Sequence, residues 1–255
     1  MSSFKKLAWS ATLALGLSVA TSSAQATALT LTLPTTNLDA DAVFSFNADV
    51  YDVMNGMGLY ALGLGNSKQT TTAAGAGISF NMPVTQVSLA TSLLPFNISP
   101  VSGKASGSAL GIYGDEGGLV LANFSLDFKR NVLSADMTTS KGTVKGFDVY
   151  NFHVADNLHV STSGGLSMKM SLDHMMLTDA AQASFASALA LPDFAVAILG
   201  NLDFGTLAIN IAPGLRFDVS DKAFTTSMVP EVPPLVMLSL GFLGIAAISR
   251  RKQAV

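Results

Sequence analysis

LVLANFSLDFKRNVLSADM, residues 119 to 137, decides the fold. Successive side chains of an extended chain point to opposite sides, so Phe124, Leu126 and Phe128 share one face. Lys129-Arg130-Asn131 then supplies a polar turn, and Val132 to Met137 runs back as a second strand. Two runs of period two around a short turn predict a β-hairpin.

The same rhythm extends in both directions. Ala28 to Leu33 alternates strictly, and Val43 to Val50 (through Phe44 and Phe46) and Ile78 to Met82 follow the same pattern. Thr143 to Val154, Leu158 to Ser163, Gly165 to Leu177, Phe204 to Ile211 and Leu215 to Val219 continue the series. Thr178 to Leu191 breaks it. Thr178 can cap a helix, Asp179 favours its N-terminus, Ala181, Phe185 and Leu189 recur every four residues, and Pro192 follows. Ser67 to Gly77 and the glycine-rich Ser102 to Gly118 read as flexible loops. No fixed internal repeat is visible. The expected fold is mainly β: an antiparallel sandwich or barrel-like domain with one short helix across an edge or mouth.

The two ends read differently from the body. Met1 to Lys6 is basic, Leu7 to Ala20 is apolar, and Ala24-Gln25-Ala26 is a small-x-small cleavage site. That is the secretory pattern, with an uncut anchor as the alternative. At the other end, Leu235 to Ile248 is uncharged and Arg250-Arg251-Lys252 closes it. Its 14 residues fall short of the ~20 that span a bilayer unaided. A basic stop after an apolar run nevertheless fits a membrane helix with its positive end in the cytoplasm; a buried core helix is the alternative. The expected organisation is a signal peptide (1–26), a secreted all-β body (27–228) and a sorting tail (229–255).

That tail resembles the sorting domain of PEP-CTERM proteins. The resemblance rests on Pro230 and Glu231, the Leu/Gly/Phe-rich segment, and Arg250, Arg251 and Lys252. Where the family places Pro after Glu, this chain has Val232, followed by Pro233 and Pro234. The resemblance implies processing by an exosortase-type enzyme in a Gram-negative bacterium. It further implies transient anchoring at the inner membrane and delivery to the cell surface, outer envelope or exopolysaccharide matrix. Within the body, Leu119 to Leu191 resembles the β-rich HtaA-type haem-binding surface domains. The shared features are the hairpin Asn123 to Met137 and the Leu-Thr-x-Ala-Ala helix start at Leu177 to Ala181. No residue role comes with that likeness.

The body carries nine basic and sixteen acidic residues, a net charge of −7, which disfavours nucleic acid and anionic headgroups as partners. Cysteine is absent, so disulfides, thiolate metal sites and a cysteine nucleophile are excluded. There is no Gly-x-Ser-x-Gly elbow, no His-Glu-x-x-His and no phosphate loop. Two glycosidase carboxylates are not recognisable from one sequence, so a secreted hydrolase stays a third possibility.

Candidate ligands are few. Met168, Met170, His174 and Met176 fall on one face of an ideal strand, a soft set suited to Cu(I), or simply a buried face. His153 and His159, read as lying on neighbouring strands, can ligate haem or a metal, or be structural. Asp39, Asp41, Asp49 and Asp52, and the Asp115-Glu116 loop, can collect Ca²⁺ or serve as solvated turns. The sole tryptophan, Trp9, lies in the signal segment, which leaves Tyr51, Tyr60, Tyr113 and Tyr150 as aromatic platforms. The reading is an exported, non-catalytic surface or matrix protein with a structural or adhesive role beside exopolysaccharide, with no cofactor. A surface module for haem, metal or glycan is the alternative. Its expected partners are export machinery, signal peptidase and an exosortase-type enzyme.

Overall fold

The computed structural model describes residues 29–71, 77–93, 96–162, 165 and 167–226. The cleavage residues Ala24 and Ala26 lie outside these, as does the sorting tail with Pro230, Glu231, Val232, Pro233, Arg250, Arg251 and Lys252. No helix among the described residues is long and apolar enough to cross a membrane.

One antiparallel sheet of twelve strands forms the body. In chain order these are β1 (Leu29–Pro34), β2 (Leu38–Phe46), β3 (Tyr60–Gly65), β4 (Lys68–Thr71), β5 (Ile78–Pro83) and β6 (Gln86–Leu93). They continue with β7 (Phe96–Tyr113), β8 (Gly118–Asp127), β9 (Val132–Thr139), β10 (Gly142–Ser161), β11 (Ser167–Leu177) and β12 (Gly205–Leu215). The order across the sheet is β1-β6-β7-β8-β9-β10-β11-β12-β2-β5-β4, with β3 paired to β7. The sheet curls so that its inner face forms the core. A two-sheet sandwich is therefore corrected to a single curled sheet.

The curl is fastened where chain neighbours belong to opposite ends of the strand order. β1 leads to β2, and β5 leads to β6, each time from one end of the sheet to the other. At this junction Thr35 is fully buried; its N–H donates to Thr85 O at 2.9 Å and its hydroxyl to Val84 O at 2.8 Å. Thr85 N–H in turn donates to Lys104 O on β7 at 2.8 Å. Arg216, its side chain 11% exposed, spends its guanidinium on three acceptors. These are Thr36 O (3.1 Å), Asp41 Oδ1 (2.9 Å) and Val84 O (2.8 Å). Rigid fork geometry lets one arginine satisfy several buried acceptors at once.

Among the described residues three helices, not one, accompany the sheet: α1 (Ala48–Gly56), α2 (Asp179–Ala188) and α3 (Asp193–Leu199). α2 is the helix the sequence predicts. Thr178 caps it by accepting Ala181 N–H at 3.1 Å, and Ala181 and Phe185 are buried. It packs against β8, β10 and β11. α1 overlaps residues read as the end of a strand, because Val43 to Val50 continues the alternation past the turn at Asn47. The glycine-rich stretch from Ser102 is mostly strand β7, and part of Ser67 to Gly77 is β4. Glycine there serves close packing. A Cβ at Gly107, whose φ is +75°, would sit 2.6 Å from Asn66 Nδ2 and 2.9 Å from the carbonyls of Ser220 and Lys222. The segment read as Thr143 to Val154 and the described part of Leu158 to Ser163, as far as Ser161, are one strand, β10. The expected strand Leu215 to Val219 does not form: β12 ends at Leu215, and Arg216 to Val219 is not strand.

The founding hairpin forms as β8–β9, with one change. Asn123 adopts φ 54° and inserts a bulge, so Leu119 and Leu121 before it and Phe124 and Leu126 after it all face the core. Asn123 also clamps the chain's C-terminal portion. Its Oδ1 accepts Phe224 N–H at 2.7 Å and its Nδ2 donates to Phe224 O at 3.0 Å. Phe224 covers Ala109, Val120 and Ala122 on the outer side of β7–β8. At the turn, Arg130 holds Asp127 (2.8 Å) and Asp148 (2.7 Å), and Ser134 donates to Asp148 at 2.6 Å. Arg130, then Ser134, keeps the Asp148 carboxyl below the usual carboxylate range.

Two outcomes follow. Arg216→Ala strands Asp41 and two carbonyls, and should cost about 2–3 kcal/mol in urea unfolding with little change in slope. A depressed carboxyl contributes stability above its unfolded pKa of about 4 and loses it as pH falls through its lower folded value. The melting-temperature gap between wild type and Asp148→Asn should thus be open at neutral pH and close from about pH 4 toward pH 2. Salt should narrow it, because the pair is exposed.

Candidate functional site

The inner face is filled unevenly, and the cause is a single row of side chains on β2. Phe46 and Phe44 begin it, with ring centroids 5.1 Å apart and edge-on to each other. Phe80, Tyr150 and Phe204 close around them at 5.7–6.4 Å, and Tyr150 and Phe204 stand 5.3 Å from each other. Such aromatic packing fills space with a rigid geometry. Further along β2 the same row drops to Ala42 and Ala40. Ala42 lies between Met82 on β5 and Ile209 on β12, so its small side chain leaves room rather than filling it. Facing residues are also small at one point: Gly103 on β7, paired to Leu126 on β8 and Val87 on β6.

The result is a narrow apolar cleft with a cavity volume of about 50 Å³. Val84, Val87, Leu89, Phe124, Leu126, Leu133 and Ile211 are among its walls, with Met82, Met168, Met170 and Leu158. Almost all of the exposed lining is hydrocarbon. Lys104 and Lys169 border it from exposed positions, on the opposite face of their strands from the inward neighbours Ala105 and Met170. A surface of this kind takes up apolar matter by the hydrophobic effect and offers little to a charged group.

The residues singled out from sequence are distributed differently from expectation. Met168 and Met170 line the cleft together with Met82, whereas His174 and Met176 do not. His174 takes φ 50° in a bulge against β10, which reverses the alternation: Met175 and Leu177 are buried while His174 points outward. The four-residue soft-metal face is thereby divided. His153 and His159 lie on one strand, β10, not on neighbours. His159 borders a shallow outer groove with Asp156, Lys169 and Asn210. His153 instead meets His174 across the strands.

Among the described residues, no group of three or more His, Cys, Asp or Glu is arranged to hold a metal ion, and Asp39, Asp41, Asp49 and Asp52 do not gather into one. Asp41 belongs to Arg216. Asp115 and Glu116 are solvated in the β7–β8 turn. Tyr51 and Tyr60 share a groove with Met54 and Leu59. Tyr60 is 54% exposed, and its ring lies 5.7 Å from that of Tyr113. Burial, then the neighbouring Tyr60, pushes the Tyr113 hydroxyl up. Tyr150 is no platform: it is fully buried, its pKa raised by desolvation, and its hydroxyl has no hydrogen-bond partner among the described residues.

The haem implied by the HtaA-type resemblance can be tested against the cleft. Haem iron is held by an axial His, Cys, Met or Tyr. The cleft lining has no His, Cys or Tyr, so its donor set does not fit a His- or Tyr-ligated haem; Met82, Met168 and Met170 offer thioethers alone. Sequence reasoning missed Ala42 and Gly103. Their signal was present as small residues at inward positions of otherwise bulky strands.

In class, then, this is a curled antiparallel β-sheet protein with an apolar cleft. No family model matches the chain, and no curated protein does. Two solved structures from Corynebacterium glutamicum are similar to it. The C-terminal domain of HtaA shares 13% identity at a TM-score of 0.42, over 69% of this chain and 97% of that one. The heme binding protein HtaB shares 10% at 0.44, over 74% and 98%. Similarity at this level says nothing of what this chain binds.

Proposed function

We propose that this chain is an exported, non-catalytic surface module that holds an apolar ligand in the cleft between β2, β5 and β12 on one side and β6, β7 and β8 on the other. The observation that carries it is the shrinking row Phe46, Phe44, Ala42, Ala40. A row that keeps one wall packed with aromatics and empties the next few residues builds a lined space rather than a uniform core. Natural interiors seldom leave such space unfilled, since lost contacts cost stability. The methionines suit ligands of imprecise shape, because the thioether side chain is flexible and polarizable. About 50 Å³ of hydrocarbon-lined space admits the end of an acyl or isoprenoid chain.

The signal pattern at residues 1–26 and the PEP-CTERM-like tail at 229–255 support export and retention at the envelope, through signal peptidase and an exosortase-type enzyme. The adhesive role beside exopolysaccharide suggested by composition has no counterpart in a described feature. Ligand capture has one.

The test uses the full chain in nanodiscs, with empty nanodiscs as blank. A fluorescent polyene fatty acid and haemin are titrated in turn. Saturable binding near one equivalent is expected for the fatty acid. Gly103→Val should weaken it at least about tenfold: the added Cβ meets only Leu126, at 3.7 Å, so the valine fits the fold and occupies the cleft. Binding that is absent, or indifferent to this substitution, refutes the reading. Address is tested separately. Cells expressing the chain without residues 229–255 should release it or hold it in the periplasm, whereas surface retention equal to the intact chain overturns the sorting role.

A further inference from the structure

We infer a second site, independent of the cleft: His153 and His174 form a two-imidazole site for a divalent transition-metal ion on the outer face of β10–β11. Their ring centroids stand 6.2 Å apart with planes inclined by 55°. A ring nitrogen binds zinc at roughly 2.0–2.1 Å, which puts the ring centre about 3.2 Å from the ion and two coordinated rings about 5 to 6.5 Å apart. The observed separation lies at the wide end of that window, where the two rings stand roughly opposite each other across the ion.

Each ring is also oriented from behind. His153 Nδ1 lies 2.9 Å from Asp173 Oδ1, and His174 Nδ1 lies 3.3 Å from Asp203 Oδ2. At His153 the contact is a hydrogen bond, and because a carboxylate accepts, it fixes the proton of a neutral imidazole on Nδ1 and leaves the lone pair on Nε2. That carboxylate–imidazole arrangement is the one that orients metal-ligating histidines and raises their basicity. The two ring nitrogens are distinct for this reason. Both side chains are more than two-thirds exposed, so an ion reaches them from solvent and water completes its shell.

The bulge supplies a further observation. Without it, His174 would stay in phase with Met170 and Leu172 and face the core. The left-handed backbone at His174 swings the ring out beside His153. Glycine adopts that conformation more readily than histidine, so the fold alone has no need of an imidazole there. Bulges commonly re-aim a side chain in this way. Imidazole donors suit Cu²⁺, Ni²⁺ and Zn²⁺, with Cu²⁺ bound most tightly, and have no use for Mg²⁺.

Isothermal titration of the full chain in nanodiscs with Cu²⁺, Ni²⁺, Zn²⁺ and Mg²⁺ tests this, alongside electron paramagnetic resonance of the Cu²⁺ form. One equivalent of Cu²⁺ with two-nitrogen hyperfine structure is expected. His153→Gln and His174→Gln should each lower affinity at least about tenfold, and Asp173→Asn about ten- to a hundredfold by freeing the ring. His159→Gln should change nothing. His174→Gly should raise the melting temperature while losing the ion, which separates the site from the fold. Absent saturable binding, binding unmoved by both glutamine variants, or loss confined to His159→Gln overturns the inference.

Discussion

The curl of the sheet depends on one polar knot. Thr35, Thr85 and Arg216 join the β1–β2 turn to the β5–β6 junction, where strands from the two ends of the order meet. An open antiparallel sheet of this size would expose two edges and one apolar face. The knot brings the walls of the cleft together: Val84, its carbonyl bonded to both Thr35 and Arg216, is itself a lining residue. Buried polar groups are costly unless satisfied, and here the carbonyls at the join are satisfied by side chains. Holding the sheet curved and shaping the space inside it are therefore one problem with one solution.

Local chemistry made much of this legible in sequence. The β8–β9 hairpin, the Thr178 cap and the end of α2 near Pro192 all follow from near neighbours, which is why period and capping residues reveal them. Features with remote causes were not legible. Ser102 to Tyr113 looks like a loop because of its glycines, yet the atoms that demand glycine at 107 belong to Asn66, Ser220 and Lys222. Alternation at Val43 to Val50 hides the turn at Asn47, because a short helix beginning there keeps apolar residues at similar spacing.

The candidate sites were less legible still, for a definite reason. Bulges at Asn123 and His174 reverse the inward and outward sides of a strand, and a non-glycine residue gives no notice of a left-handed backbone. With the strand taken as ideal, His174 belongs with Met168 and Met170; with the bulge it belongs with His153. The cleft escapes detection because its walls are ordinary core residues. Small inward residues such as Ala42 and Gly103, where bulk is missing, distinguish it from a filled interior.

The way the chain leaves the body has a mechanical meaning. Arg216 sits in the knot, Asn66 holds Ser220 O at 2.6 Å, and Asn123 holds Phe224 on the outer side of β7–β8. Tension applied beyond residue 226 meets these three fastenings in series, from Phe224 inward. The last to carry the load is the arginine that keeps the sheet curled. A protein tethered by this end would transmit a pull along its leash to the seam that bounds its own cleft.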